Sequence, residues 1–229
     1  MKNLERTCPV VVNELRDHGH QINVVYDIGA NDGRWYKDWK PLLPKAQFIM
    51  FEANPNSKLR YSIEKHEKRF LQVLSDADDK TVQFFLANNG KESTGDSYYK
   101  ELTANYSEGK SVLLKTKTLN TMISENNLPL PDFIKMDTQG SEVDIMKGGS
   151  DALNHAKVAL IEVSVMPYNT NAPIFNDYID TMYSYGFIPS GVHNIAMRKG
   201  VVNQMDIVFT KSDINNEIHQ HRDRYKGFV

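Results

Sequence analysis

The stretch "YDIGANDGRWY", residues 26–36, begins as an apolar strand and runs into a glycine-rich turn. A turn in this place, where the first strand of an open parallel sheet gives way to its helix, is where such folds bind ligands. Here the turn carries Asp27 and Asp32, which would repel a pyrophosphate resting on the following helix N-terminus. Counted from Gly29, the Gly-x-Gly-x-x-Gly dinucleotide pattern needs glycine where the chain has Asn31 and Arg34. An NAD-dependent dehydrogenase is therefore the weakest reading.

A ligand with an adenosine, no phosphate and cationic groups removes the contradiction. S-adenosylmethionine is such a molecule: its sulfonium and ammonium are positive, its carboxylate suits backbone N–H groups at a helix start, and its ribose calls for an acid. "FIMFEANP" supplies that acid as Glu52, about 20 residues beyond the turn, as expected for a carboxylate that accepts from ribose hydroxyls.

Outward from this turn, apolar strand-like runs at 22–28, 46–52, 69–75, 132–137 and 157–165 alternate with helical candidates near 35–43, 56–67, 118–126 and 141–148. The alternation predicts a parallel sheet with helices on both faces. Runs at 81–87 and 111–117 break the rhythm as strands without an intervening helix. Between them the polar stretch 88–109 reads as a long mobile loop of the kind that forms lids. A helix over 172–186 and strands at 187–192 and 204–211 predict a C-terminal antiparallel hairpin. The expectation is one domain, 1–229: an N-terminal helix in 1–21, a cofactor-binding core over 22–165, a helix and strands over 166–211, and a polar tail over 212–229.

Composition narrows the partners. With 40% hydrophobic and 24% charged residues over 229 positions, the chain can bury a substantial core. A formal charge of −2 argues against nucleic acid, whose phosphates need a concentrated basic surface. One cysteine, Cys8, gives neither a disulfide framework nor a zinc cluster. No apolar run approaches the ~18 residues of a membrane span, and the charged start does not read as a secretory signal. The expectation is a cytoplasmic protein that binds neither nucleic acid nor membrane, its oligomeric state left open.

The segments "DIGANDG" (27–33), "FEANP" (51–55), "TLNTMISENNLPLPDFIKMDTQGSEVDIMKGG" (118–149) and "LIEVS" (160–164) make the chain resemble the FkbM-type family of S-adenosylmethionine-dependent methyltransferases. "IKMDTQGSE" is the most specific part of a likeness over residues 22–165. The resemblance implies a Rossmann-like class I methyltransferase fold: an α/β, mostly parallel seven-stranded sheet with helices on both faces and a C-terminal hairpin. It implies O-methylation of a hydroxyl on a sugar, glycan or natural-product acceptor. Asp27, Gly29, Asn31 and Gly33 would line the methionine end of the cofactor, Glu52 would hold the ribose, and Ser75 and Asp76 would contact the adenine. The chain departs from the family pattern twice. Leu119-Asn120 stands where Leu-Asp is common, and Asp137-Thr138-Gln139-Gly140 where Asp-x-Glu-Gly is common, so a role for that glutamate does not carry over to Gln139.

Methyl transfer to oxygen is a one-step displacement in which the protein aligns the reactants and removes a proton. Asp137, ending "DFIKMD", reads as that base, as a ligand of the cofactor ammonium, or as the cap of the helix beginning near Ser141. Glu162 sits inside the apolar "ALIEVSV", where an unpaired carboxylate is costly; it belongs to the site or pairs with a structural cation. Glu142 reads as a first-turn helix residue favoured by the dipole. His193, after "FIPSG", is the histidine placed nearest the cleft. Trp35, Tyr36 and Trp39 either stack on an acceptor or pack a core. No spacing demands a metal, although Asp137, Glu162 and neighbouring oxygens offer a divalent cation a place. A non-catalytic module that keeps the adenosine site is the alternative from another function class.

Overall fold

The computed structural model describes residues 7–86, 95–101, 110–167 and 169–220. Seven strands make the main sheet: β1 (Val24–Ile28), β2 (Gln47–Glu52), β3 (Lys68–Leu71), β7 (Phe133–Met136), β8 (Val158–Ser164), β9 (Phe187–Arg198) and β10 (Val201–Lys211). They run in the order β3-β2-β1-β7-β8-β10-β9. The first five are parallel neighbours; β10 returns antiparallel to β8, and β9 antiparallel to β10. The sheet order reverses between β1 and β7, which opens a crevice at their carboxyl ends.

Alternate residues of the parallel strands feed two cores, as sheets covered on both faces require. Tyr26, Ile49, Phe51, Ile134 and Ile161 face one core. It is closed by α3 (Leu119–Asn126), α4 (Glu142–Lys147), α5 (Ser150–His155) and α6 (Phe175–Ser184). Val25, Phe48, Phe133, Leu160 and Val208 face the other, under α1 (Thr7–Asp17), α2 (Arg34–Trp39) and α7 (Ser212–Gln220). Trp35 and Trp39 stack at 5.0 Å and meet Phe133 edge-on. With Tyr36, they are packing units. Among the described residues no helix is long and apolar enough to cross a membrane.

A smaller sheet, β4 (Val73–Leu74), β6 (Lys110–Lys117) and β5 (Thr81–Leu86), leans on the crevice. The run expected as one strand over 69–75 splits at Gln72. Its backbone N–H donates to Glu52 O in the main sheet, while its side-chain amide donates to Lys115 O in the small one.

Three expectations are corrected. Residues 56–67 form turns rather than a helix. Asn54 Oδ1 accepts from Asn56 N and starts an Asx turn; apart from Leu59 and Ile63 the segment has no apolar face to bury. The tail is helical at its start, because Ile214 of α7 inserts into the second core; residues 221–229 lie outside the described residues. The hairpin is longer than 187–192 and 204–211 suggested. Its two-residue turn, Lys199 and Gly200, has φ of +51° and +82°, the conformation that matches strand twist.

Gly148, at the end of α4, carries the α4–β4 contact. A Cβ there would lie 2.1 Å from Ser75 O, a backbone atom that cannot swing away. Gly148→Ala is expected to cost about 1–3 kcal/mol, the range for overpacking, measured by urea unfolding. Wild-type stability would show that the contact yields freely.

Candidate active site

The crevice is built by one close approach. Gly29 has φ +78°, and a Cβ there would stand 1.8 Å from Asp137 O, so only glycine lets the end of β7 lie against the turn after β1. Gly29 N and Ala30 N donate to Phe51 O at 2.9 and 3.0 Å, tying the turn to β2 as well. Asn31 follows at φ +46° and Gly33 at φ +80°. At Gly33 it is the left-handed backbone that favours glycine, since a Cβ would meet only the movable Leu59 Cδ2, at 2.8 Å.

Glu52 ends β2 at the cleft wall, with both carboxylate oxygens held: Oε2 accepts from Asn31 N and Oε1 from Asn54 N, each at 2.7 Å. Burial pushes its pKa above the ordinary carboxylate value, against the pull of those N–H groups, Lys135 and Arg69. The cleft is a partly open hollow with about 100 Å³ of cavity space, walled by Gly29, Asn31, Glu52, Tyr98, Asp137 and Gln139 among others. Its apolar end is Val73, Leu74 and Phe84. Of the loop expected over 88–109, residues 95–101 are described, and Asp96 and Tyr98 form part of the cleft wall. Tyr98 and Tyr99 hydroxyls both donate to Asp144 Oδ2, at 2.8 and 2.7 Å, and Asp96 accepts from Asn54 Nδ2 at 2.7 Å.

On the side of the sheet that bears α1 and α2, the register sets Glu162, Asp206 and Asn194 in a row across β8, β10 and β9, which Asp137 continues one residue past the end of β7. Like charges side by side on adjacent strands repel. Gln139 relieves one pair: its Nε2 donates to Glu162 Oε2 at 2.6 Å and to Asp137 Oδ1 at 3.1 Å. Burial, then the charges of Asp137, Glu142 and Asp206, raise the Glu162 pKa well above its usual value. Burial followed by Asp137 pushes Asp206 up to about 6. Asp137 itself is 44% exposed.

Several residues stand elsewhere than the sequence suggested. Asp27 is fully buried beneath the turn and faces Lys135 Nζ at 3.2 Å instead of the cleft. Ser75 bonds Asp76, and Asp76 bonds Lys80 at 2.6 Å; neither lines the cleft, whose wall at that level is Gln72, Val73 and Asp96. His193 lies on the edge strand β9, where its Nδ1 accepts from Cys8 N at the start of α1. This is a capping role, away from the cleft wall. Glu142 is also structural, locking its turn by accepting from Thr138 N, Gly140 N and the Tyr178 hydroxyl. Asn120 ties α3 to α5 through Ser150 Oγ and Asp151 N. The acids and histidine that approach metal-ligand spacing, Glu64, His66 and Glu67, surround the Lys40 ammonium, which is 2.8 Å from Glu67 and 3.3 Å from Glu64. Lys135 and Asp206 were missed, although each is a charge inside an apolar strand, the signal that marked Glu162.

Asp206 gives a test of the acidic row. A folded-state pKa of about 6, above the ordinary 3.8, means stability that is whole below the unfolded pKa and lost as pH rises through the folded one. Asp206→Asn is expected to be more stable than wild type by roughly 2 kcal/mol near pH 8 and to show no gain near pH 4. Urea unfolding at both values checks this; a pH-independent difference would contradict the charge repulsion.

The curated 2-O-methyltransferase NoeI of Sinorhizobium fredii is 28% identical over 156 residues, covering 62% of this chain and 63% of that protein. The hexuronic acid methyltransferase AglP of Haloferax volcanii is 25% identical over 159 residues, 67% of this chain and 61% of that protein. The chain thus spans less than two thirds of either relative. Among solved structures, precorrin-6y C5,15-methyltransferase of Geobacter metallireducens superimposes with TM-score 0.44 at 13% identity, covering 92% of each chain. Magnesium protoporphyrin IX methyltransferase of Synechocystis with bound SAM gives 0.43 at 10% identity, over 90% of this chain and 79% of that one. The Methyltransferase FkbM domain model matches residues 27–189, most of the chain, and the protein belongs to that methyltransferase family.

Proposed function

We propose that the protein transfers a methyl group from S-adenosylmethionine to a hydroxyl of a sugar or glycan. The observation that carries this reading is Glu52. It is a carboxylate fixed at the cleft wall by two backbone N–H groups, across a turn free of phosphate-binding character, with Asp137 in the same cleft. The residues present fit the cofactor: a rigid acceptor for vicinal ribose hydroxyls, an apolar slot for the adenine at Val73, Leu74 and Phe84, and a close backbone turn at Gly29. The relatives' printed activities, 2-O-methylation and methylation of a hexuronic acid, support a sugar hydroxyl as the acceptor.

When bound, the cofactor supplies a methyl already activated by the positive sulfur. The chain's own work is then alignment and proton removal. Asp137, which lines the cleft where Glu162 does not, takes the acceptor's proton or orients its hydroxyl. Gln139, itself tied to Glu162, holds the Asp137 carboxylate from behind. His193 has no part in this mechanism.

Methyl-labelled S-adenosylmethionine incubated with a panel of neutral and acidic glycosides tests the reading by transfer of the label. Asp137→Asn should lower kcat by about 10² to 10⁴, the usual range for a general base, with little change in affinity for S-adenosylhomocysteine. Glu52→Ala should weaken that affinity by about 1.5–3 kcal/mol in calorimetry. Wild-type turnover in the first variant would remove Asp137 from the chemistry, and unchanged affinity in the second would leave Glu52 a mere turn cap.

A further inference from the structure

Lys135 is the charged residue of the otherwise apolar strand Phe133–Met136, its side chain 7% exposed. Its ammonium donates to Gly29 O at 2.8 Å and Ile28 O at 3.3 Å, the two carbonyls that lead into the turn after β1. The same nitrogen lies 3.2 Å from Asp27 Oδ1 and 3.9 Å from Asp137 Oδ2. One buried cation therefore touches the cofactor turn, the acid beneath it and the residue across it.

We propose that Lys135 is a positioning residue: it fixes the Gly29 turn for cofactor and holds the Asp137 carboxylate beside it, acting through both and touching neither cofactor nor acceptor. The role rests on the methyl-transfer reading. The physical reason is the count of acids around it. Lys135 acts on Asp27 of β1 and Asp137 after β7 by contact, and on Glu52 of β2, Glu162 of β8 and Asp206 of β10 at longer range. From α1, the buried Cys8 thiol feels Asp206 of this group. Burial by itself disfavours a charged lysine, yet its carboxylate neighbours outweigh that and hold Lys135 protonated. Among the described residues Asp27 has no hydrogen-bond donor besides this ammonium, so removal of the cation leaves a buried carboxyl that must take up a proton.

The experiment compares wild type with Lys135→Met and with Lys135→Met/Asp27→Asn. It reads affinity for S-adenosylhomocysteine by calorimetry and melting temperature between about pH 5 and about pH 8. Lys135→Met is expected to bind at least about ten-fold more weakly, as a buried charged hydrogen bond is lost. Its melting deficit should widen as pH rises, because Asp27 without its partner has a raised folded pKa and stability is lost through that value. Adding Asp27→Asn should abolish the widening and leave the affinity loss, since the carbonyls of Ile28 and Gly29 still lack their donor. If the single variant does not fold, the double one carries the test. Wild-type affinity in the double variant, or a melting deficit that does not vary with pH, overturns the proposal. A wild-type protein that binds no S-adenosylhomocysteine would instead sink the methyl-transfer reading, and the pH dependence of melting would still judge Lys135.

Discussion

The structure depends on the contact between Gly29 and the backbone of Asp137. Without a side chain at position 29 the ends of β1 and β7 lie against each other, and Asp137 N donates back to Ile28 O at 3.1 Å. This contact sets where the sheet order reverses. On one side of it stand Glu52 and the apolar slot; on the other, the row of Asp137, Glu162 and Asp206. In the proposed reaction, a hydroxyl presented from the acidic side would meet a cofactor on the β2 side only because the two strand ends are this close. Proximity of that kind is the larger part of catalysis for a leaving group already activated.

The acidic row illustrates how a family pattern can be altered without losing its site. Gln139 stands where a glutamate is common among sequences of this type. As an amide it donates to two carboxylates at once, where a third carboxylate would add repulsion. The strained backbone at Gln139, φ +58°, is held by Asn169 Nδ2, which donates to its carbonyl at 2.7 Å, and by Glu142 below. Strain of this kind at a cleft is retained where the surroundings over-determine it.

Much of the fold was legible because its signals are local. The runs ending at Ile28, Glu52 and Met136 are buried on both faces, so their strand character shows in composition alone. The segment 56–67 misled because its polar residues satisfy their backbone by turns, and because Glu67 is buried on the distant Lys40, a long-range pairing that no local pattern reveals. Glu52 and Asp137 could be picked out from their place at strand ends. Asp27 could not be separated from them, since whether a carboxylate points up into a cleft or down onto Lys135 is decided by strand register. His193 failed for the same reason: its partner, the backbone of Cys8, lies 185 residues away.

A crystal structure of the protein with S-adenosylhomocysteine tests the central claim most directly. The account predicts the ribose hydroxyls on the Glu52 carboxylate, the adenine between Val73 and Phe84, and the sulfur directed toward Asp137 across Gly29. A nucleoside bound with its ribose away from Glu52, or with its sulfur on the far side of the sheet from Asp137, would contradict it.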